Sequence, residues 1–521
     1  PGQTTIRSIE DKVAKSASEL PMTDSPVSQS ALSDGYCGIV WFRNDLRVED
    51  NPAWDEATRT HDQVVALYVL DPAIADRTGP LRRRRHLMEL RALDETLREH
   101  GGRLHIVRGS PLEVVPELVD ELQATGVYVN ASPSALSRSR DAQLVDLLPE
   151  STRLSSHWGN LVQPPGGVTT AAGNVPRVFT SFWKRWRAAP PPEWAAAKPD
   201  ATLVTAKVLD LGAGDSPRFV DPSEIDDCGD ADGWTGVAGS DRAVEEISSP
   251  DRYLGTDGAH ARLAEFIEHG LGDYAEQRDA PYLDGSSDLS VPLHFGTIAA
   301  VRVMAAAEAH GGGAEAFIRQ LAWRDWYAHL LWENPALPRH AMRPEFELIN
   351  WRNDRDEIDA WKQGLTGYPI VDAGMRQLAS TGRMHNRVRM VTASFLVKDL
   401  LVDWKIGERY FRRTLLDGDV AQNAGNWQWV AGTGPDAAPY FRIFNPVRQG
   451  EVHDPDGEYV RRWLPELSGL PTRYIHAPWR APEDVLQRAG VSLGRNYPTP
   501  IVDHSEARAA TLAAYKLASN K

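Results

Sequence analysis

The segment 417–432, DGDVAQNAGNWQWVAG, combines two kinds of side chain that can do chemistry. Asp417 and Asp419 are two residues apart, and so are Trp427 and Trp429, in a segment whose Gly, Asn and Gln content predicts poor regularity. A carboxylate pair can accept hydrogen bonds from the N–H groups of a heterocycle or hold an arginine. Tryptophan offers a planar face for stacking and an N–H donor. No His or Cys lies nearby, and the sequence is unlike a divalent-cation loop, so no metal site is predicted.

The segment 384–404, MHNRVRMVTASFLVKDLLVDW, predicts a buried helix whose beginning carries polar groups. Asn386 and Met390 are spaced i,i+4, and Arg387 and Met390 are spaced i,i+3, with Arg389 between them. The spacing therefore places an amide, cations and a thioether on adjacent faces. A capped, salt-bridged helix start explains the same pattern, because charged helix ends are common.

A small polar loop at 285–290, GSSDLS, precedes another predicted helical segment. Glycine permits close backbone approach, and serine hydroxyls with exposed N–H groups suit a phosphate. A serine-rich turn before a helix is also an ordinary helix cap. Both interpretations remain open from the residues alone.

The helix predicted at 314–332 carries Trp323, Trp326 and Trp332 at roughly helical spacing. An aromatic stripe of this kind is more often part of a core than a ligand site. Gln320 and Trp323, spaced i,i+3, could instead line one cavity.

The elements that must position these residues differ between the two halves of the chain. Short β-branched runs at 37–42, 63–70, 103–109 and 126–131 are followed or separated by helical patterns at 82–101 and 111–126. Strands alternating with helices predict a doubly wound parallel sheet. No G-x-G-x-x-G follows the first strand, so a Rossmann-type dinucleotide site is not predicted there. From about residue 258 onward, helices are predicted at 259–268, 299–309, 314–332, 354–363, 370–380, 385–403 and 408–416.

We therefore expect an α/β domain joined by a long linker to an all-α domain. The predicted boundaries are 1–35 for a disordered extension, 36–160 for the α/β domain, 161–257 for the linker and 258–521 for the helical domain. The linker has some helix near Phe179–Ala188, and its stretch 201–251 is strongly acidic. The extension is polar and lacks a sustained periodic pattern.

Composition narrows the class of protein. The chain has 521 residues, two cysteines and a formal net charge of −15. Two cysteines leave no disulfide framework or Cys-based zinc site, and no apolar run is long enough to span a membrane, so a cytoplasmic location is expected. The net charge argues against a generic nucleic-acid binder. However, much of the acidic excess lies in 201–251, while 381–450 is net basic, so an anionic partner can still dock there.

Several of these segments resemble the photolyase/cryptochrome family. The resemblance is carried by VWFRNDLRVEDNPAW (40–54), TGYPIVDAGMRQLASTGRMHNRVRMVTASFLVKDLLVDWKIGERYF (366–411), DGDVAQNAGNWQWVAGTGPDAAPYFRIFNP (417–446) and YPTPIVDHSEARAATLAAYKLA (497–518). The match is to the class I cyclobutane pyrimidine dimer (CPD) photolyases and spans about residues 36–520. It implies an antenna domain at the amino end, a helical FAD-binding domain and a monomer.

The resemblance implies a carbon–carbon lyase that repairs ultraviolet-damaged DNA, single- or double-stranded, under near-UV or blue light. Excited, reduced FAD is expected to pass an electron to a flipped-out dimer, with no net redox change. By match, the cofactor is contacted by Tyr274, Ser286, Ser287, Leu289, Ser290, Arg324, Asn386, Arg389, Asp417, Asp419 and Asn423. Asn423 matches the position facing flavin N5, and Arg389 is expected to pair with Asp417.

The resemblance also assigns substrate and electron-transfer residues. The substrate and DNA contacts by match are Arg278, Gln320, Trp323, Asn386, Arg387, Met390, Trp429 and Gln449. Trp427, Trp404 and Trp351 match the tryptophan chain that photoreduces FAD, and they could also be ordinary core tryptophans.

The sequence departs from the family pattern at a few positions. Gln320 stands where many CPD photolyases have a glutamate, and it can bind the dimer's carbonyls but cannot deliver a proton. A second, antenna chromophore is expected on fold grounds, either 8-hydroxy-5-deazaflavin or methenyltetrahydrofolate. Segment 130–141 lacks a glutamate associated with the folate, and Asn44 replaces a basic residue expected for the deazaflavin.

Three other functions share parts of this pattern. A cryptochrome-like photoreceptor has the same fold and FAD, but it often carries a long C-terminal tail and an acidic residue where Asn423 stands. A (6-4) photolyase normally has a histidine pair where this chain has His385 beside Asn386. A non-catalytic flavoprotein or DNA-binding scaffold would have no need for both the tryptophan chain and the substrate-side tryptophans.

Overall fold

The computed structural model describes residues 37–75, 77–192, 207–208, 219–220, 253–283, 285–436 and 439–520. The predicted disordered extension at 1–35 lies outside the described residues. Most of the acidic stretch 201–251 also lies outside them.

A parallel β-sheet forms the centre of the amino-terminal domain. Its strands are β1 (Cys37–Phe42), β2 (Gln63–Leu70), β3 (Leu104–Arg108), β4 (Gly126–Asn130), β5 (Arg153–His157), β6 (Lys207–Val208) and β7 (Phe219–Val220). Along the sheet the order is β5-β4-β1-β2-β3-β7, with β6 paired to β2. Only the β3–β7 pair is antiparallel among the described strands.

The side chains of strand β1 point alternately to the two faces of the sheet, and each face has its own hydrophobic core. Val40 and Phe42 face one core cluster, and Ile39 and Trp41 face the other. Because side chains alternate across a strand, both faces of a sheet must be covered when every position is apolar. Helices from both sides cover them, which confirms the predicted doubly wound domain.

The helices of this domain occupy the connections between strands. They are α1 (Pro52–Thr60), α2 (Pro72–Ala75), α3 (Pro80–Glu99), α4 (Pro111–Leu122) and α5 (Ala135–Leu147). Strand β5 was not predicted, because its sequence RLSSH is polar and only Ser155 is buried. Pairing with β4 defines this strand, and hydrophobic alternation does not.

Part of the segment predicted as a linker packs as core. Helix α6 (Phe179–Ala188) buries Phe179, Phe182, Trp183 and Trp186 against the carboxy-terminal domain. Asp325 of that domain accepts hydrogen bonds from the Trp186 Nε1–H (2.7 Å) and from a backbone N–H.

The carboxy-terminal domain is helical over its described length. Its helices are α7 (Gly255–His269), α8 (Tyr274–Gln277), α9 (Ser290–Phe295), α10 (Ala300–His310), α11 (Ala314–Glu333), α12 (Arg355–Gln363), α13 (Pro369–Thr381), α14 (Asn386–Ser394), α15 (Trp404–Thr414), α16 (Val420–Ala431), α17 (Pro446–His453), α18 (Glu458–Trp463), α19 (Thr472–Ile475), α20 (Glu483–Arg488) and α21 (His504–Ser519). The helix predicted at 385–403 is α14 followed by one π-helical turn, Phe395–Asp399.

The prediction that segment 417–432 has poor regularity is wrong, because its central part is helix α16. The Asp419 carboxylate caps the helix by accepting from the Gln422 N–H (2.8 Å), and Gly432 ends it at φ 80°. Gly425 of α16 packs against α11, where an added Cβ would be 2.1 Å from a ring atom of Tyr327. Tertiary packing thus overrides the low helix propensity of Gly and Asn.

Candidate functional site

A single cavity of about 480 Å³ brings together most of the predicted site residues. It lies between α8, α9, α11, α14, α15 and α16. The predicted residues that line it are Tyr274, Arg278, Ser287, Ser290, Gln320, Trp323, Arg324, Asn386, Arg387, Arg389, Met390, Asp417, Asp419, Asn423, Trp427 and Trp429. Ser286, Leu289, Trp351, Trp404 and Gln449 are not among the lining residues of this cavity.

The expected Arg389–Asp417 pair is present. Arg389 Nη2 is 3.0 Å from Asp417 Oδ2, and Arg389 Nε donates to the Met384 carbonyl at 2.8 Å. Burial acts to raise the pKa of Asp417, but the charge and hydrogen bond of Arg389 outweigh it and hold that pKa below its usual range. Asp417 is therefore a buried, ionised acceptor at the cavity wall.

Asn423 has its orientation fixed by one neighbour. Its Nδ2 donates to the backbone carbonyl of Glu408 at 2.8 Å and to Glu408 Oε1 at 3.0 Å. With both N–H groups used, the Asn423 Oδ1 is left as an acceptor for a cavity ligand. Burial raises the pKa of Glu408, against the opposing effect of Arg412.

The serine loop is held from behind by a buried arginine. Arg262 of α7 donates from Nε to the Ser287 carbonyl and from Nη2 to the Ser286 carbonyl, both at 2.9 Å. Arg262 thus fixes the backbone of the loop, and Ser287 and Ser290 line the cavity. Asp288 in the same loop has φ 51° and pairs with Arg383.

Most of the residues predicted to contact the substrate line the same cavity. Gln320 donates from Nε2 to the Ala316 carbonyl (3.2 Å) within α11. Asn386 Nδ2 lies 3.9 Å from the sulfur of Met390. Arg387 is not a free cation, because its Nη2 is 2.8 Å from Asp279 Oδ2.

The three tryptophans predicted as an electron chain differ in burial. Trp427 is 2% exposed and lines the cavity, Trp404 is 1% exposed, and Trp351 is partly buried against the same core cluster. Trp427 contacts Phe411 edge-on, with ring centroids 5.0 Å apart. The chain's order from cavity to surface stays a prediction.

Several cavity residues were missed by sequence reasoning. They include His294, Tyr327, Gln422 and, one contact away, Glu408. Burial, and then the charge of Arg82, lower the pKa of His294 to about 3, so its imidazole is neutral. None of these residues stands in a spacing pattern that indicates a ligand, since they come from four different helices.

The chemistry of the cavity fits a flavin nucleotide. Asp417 Oδ1 and His294 Nδ1 are buried and have no hydrogen-bond partner among the described residues. A heterocycle or ribityl chain offers donors for such atoms, and the loop at Ser287 and Ser290 suits phosphates. In the described part of the chain, no cluster of three or more His, Cys, Asp or Glu side chains is arranged to hold a metal ion. The same residues include no helix long and apolar enough to cross a membrane.

Comparisons with known proteins agree with this site. The model for the FAD binding domain of DNA photolyase matches residues 317–517, and the DNA photolyase model matches residues 38–200. The deoxyribodipyrimidine photo-lyase of Agrobacterium fabrum is 40% identical over 92% of this chain and 97% of its own length. The enzyme of the same name from Escherichia coli is 38% identical over 92% and 98%. A crystal structure of a bacterial class III photolyase from Agrobacterium tumefaciens superposes with a TM-score of 0.82 at 36% identity, covering 95% of this chain and 100% of that one.

An α/β domain joined to a helical FAD-binding domain, with these matches, defines the class of protein. The chain belongs to the photolyase/cryptochrome family.

Proposed function

We propose that this protein repairs DNA in a light-dependent reaction that splits cyclobutane pyrimidine dimers. The observation that carries the proposal is the shared cavity, since residues suited to a flavin and residues suited to a damaged base line one volume. The names of the relatives, deoxyribodipyrimidine photo-lyases, support the same reaction class.

FAD, when bound and reduced, supplies the photoexcited electron that opens the cyclobutane ring. Asp417 and Asp419 would bind its donor groups, with Arg389 keeping Asp417 ionised. Tyr274 and the loop residues Ser286, Ser287, Leu289 and Ser290 would hold its phosphates and ribose, with Arg324 and Asn386 beside the ring system.

Asn423 would act as a hydrogen-bond acceptor toward the cofactor. Its Nδ2 is committed to Glu408, so the oxygen is the free end of the amide. An amide oxygen accepts a hydrogen bond but releases no proton. It would therefore accept a hydrogen bond from the flavin N5–H without supplying a further proton, which suits electron donation to a substrate.

Trp323 and Trp429 would stack against the flipped dimer. Flipping costs a few kcal/mol of unstacking, least for a damaged base. Stacking on aromatic side chains returns roughly 1–3 kcal/mol per base. Gln320, one turn from Trp323, would hydrogen-bond the dimer's carbonyls.

The damaged strand would follow the polar rim of the cavity. Arg278, Asn386, Arg387, Met390 and Gln449 are the proposed contacts. Arg387 is paired with Asp279, so a phosphate would have to compete with that carboxylate for the guanidinium. Because segment 381–450, which supplies three of these contacts and Gln449, is net basic, binding should weaken as salt rises.

Trp427, Trp404 and Trp351 would carry electrons inward from the surface to the cofactor site. Trp427 lines the cavity and Trp351 is the least buried of the three, which supports this direction. A second chromophore in the α/β domain, deazaflavin or folate, remains part of the proposal, as do the domain boundaries and a monomeric, cytoplasmic enzyme.

The test is repair itself. Reduced protein is mixed with an oligothymidine that contains cyclobutane dimers, illuminated with near-UV or blue light, and recovery of thymine absorbance is followed. We expect recovery that requires light and is lost in Trp323→Ala and Trp429→Ala. No recovery from a protein that binds FAD and photoreduces it would contradict the proposal and favour a photoreceptor. Repair of (6-4) lesions alone would place the protein in that class instead.

A further inference from the structure

Trp323 is backed by a phenylalanine from outside its own helix. The Phe179 ring at the start of α6 stacks on the Trp323 indole, with ring centroids 3.6 Å apart and planes 10° apart. Phe179 is 2% exposed, while Trp323 is only partly buried and lines the cavity. One face of the indole is therefore occupied by protein.

The two rings stack face to face, which is not the arrangement that an isolated aromatic pair prefers. Aromatic faces carry partial negative charge, so offset or edge-on pairs are favoured over a face-to-face sandwich. The guanidinium of Arg319 lies over the same phenyl ring, 5.4 Å from its centroid, and a cation there draws charge from the stack. The orientation of Trp323 is thus imposed by its surroundings.

Hydrogen bonds at Pro176 and at Phe179 itself hold this part of the backbone. Trp326 Nε1 donates to the Pro176 carbonyl at 2.7 Å, and the Phe179 N–H donates to Asp436 Oδ2 at 2.9 Å. Asp436 lies in the loop that follows α16, the helix that carries Trp429. The two proposed substrate tryptophans are therefore connected through Asp436 and Phe179.

We propose that Phe179 is a positioning residue for lesion recognition, a role that rests on the proposed repair function. It holds the Trp323 indole flat so that the remaining face is ready to stack on the flipped pyrimidine dimer. Without the ring behind it, the indole samples other rotamers, and binding must then order it. The effect falls on dimer affinity, because Phe179 touches neither the cofactor site nor the Asn423 contact.

The experiment compares three variants by equilibrium binding of labelled oligothymidine with and without a dimer. Phe179→Leu keeps apolar volume but removes the planar face. We expect its Kd for the dimer oligonucleotide to rise about tenfold, because the variant loses part of the free energy of one base–aromatic stacking contact. Phe179→Tyr retains the ring and should bind like the wild type. Phe182→Leu, on the same helix, removes a fully buried ring that packs edge-on against His329 and should leave dimer affinity unchanged.

Repair kinetics supply a second readout. In Phe179→Leu the KM should rise in parallel with Kd, while the repair rate at saturating DNA and the FAD content stay within about twofold of the wild type. An unchanged Kd in Phe179→Leu would overturn the inference, as would an equal loss in Phe182→Leu. A wild-type protein with no preference for the dimer would overturn both this inference and the proposed function, so the two failures are distinct.

Discussion

The Asn423 side chain is anchored to Glu408 twice, through the backbone carbonyl at 2.8 Å and through a carboxylate oxygen at 3.0 Å. The two residues lie on neighbouring helices, α15 and α16, and Glu408 is fully buried. The amide therefore adds no charge, but it hydrogen-bonds a buried carboxylate whose other oxygen is 3.4 Å from Arg412 Nη2.

Replacing that amide by an acid places two carboxylates against each other. In Asn423→Asp, we expect a loss of about 3 kcal/mol in the free energy of unfolding at pH 8, because an unpaired buried charge is costly. At pH 6 the loss should be smaller, since one carboxylate then retains a proton. Thermal unfolding at both pH values measures this, and the double variant Asn423→Asp/Glu408→Gln should recover stability. A loss that is equal at both pH values would contradict the electrostatic explanation.

Gly407 controls the position of Trp427. An added Cβ would lie 2.1 Å from Cη2 and 2.5 Å from Cζ3 of the indole, so Gly407→Ala must displace it. We expect blue-light photoreduction of bound FAD to slow about tenfold or more, as misplacement of a reacting group by about 1 Å commonly does. Gly272→Ala is the matched control, because nothing lies within 4 Å of its added Cβ. Normal photoreduction in Gly407→Ala would argue against Trp427 as a relay member.

Asp417 should determine cofactor retention. In Asp417→Asn the Arg389 guanidinium loses its charged partner, and the ligand loses an ionised acceptor. We expect FAD affinity to fall by about 10–100-fold, since a hydrogen bond to a charged group contributes about 1.5–3 kcal/mol. Flavin fluorescence on titration with apoprotein measures the Kd. Asp354→Asn, which changes an exposed helix cap outside the cavity, should have no effect.

Gln320 is expected to limit repair without abolishing it. Gln320→Glu restores an acid at a position beside Trp323. The repair yield per absorbed photon should rise about twofold, less than the roughly fivefold that a whole hydrogen bond of about 1 kcal/mol would give, because Gln already binds the carbonyls and lacks only the proton. Gln320→Leu should lower it, since the dimer carbonyls then lose a donor. The yield at saturating dimer DNA is the quantity to compare. Equal yields for all three proteins would show that this side chain does not contact the dimer.

His329 contributes to acid instability. It is fully buried, Nε2 is 2.9 Å from the Gln163 carbonyl, and burial lowers its pKa to about 4. The unfolded chain binds a proton below about pH 6.5 and the folded chain does not, so stability is lost as pH falls from 6.5 toward 4, by up to about 3 kcal/mol. His329→Gln keeps a donor to Gln163 and should flatten this part of the pH profile, measured by denaturant unfolding. Opposing groups such as Asp325, whose pKa burial raises to about 7, cancel in the difference between the two proteins.

The central strands and long helices could be predicted because their patterns are local. Strands Cys37–Phe42 and Gln63–Leu70 have the predicted bounds, since each is an unbroken apolar run ended by polar or turn residues. Helix Val420–Ala431 was not predicted, because its stability comes from contacts of Gly425 with Tyr327 of α11 and of Gln428 with the loop after α11. Such contacts leave no periodic signal in the segment itself.

The residues of the candidate site also fall into two groups, those that could be predicted from the sequence and those that could not. Family resemblance located residues with long, specific motifs around 384–404 and 417–432, and the structure brings most of them to one cavity. The resemblance did not locate Phe179, Glu408 or Arg262, which contact Trp323, Asn423 and the serine loop and hold them in position. Side chains with this supporting role carry ordinary core or helix patterns, so only the three-dimensional arrangement distinguishes them.

Arg82 belongs to α3 of the α/β domain, yet its Nη1 donates to the carbonyls of Leu415 and Gly418, on either side of Asp417. An added Cβ at Gly418 would lie 2.1 Å from that same nitrogen, so the fit leaves no spare room. The wall of the cofactor cavity is thus partly built by the other domain. Chimaeras that exchange the amino-terminal domain between relatives will need to transfer this arginine and its two carbonyl partners together if they are to keep their flavin.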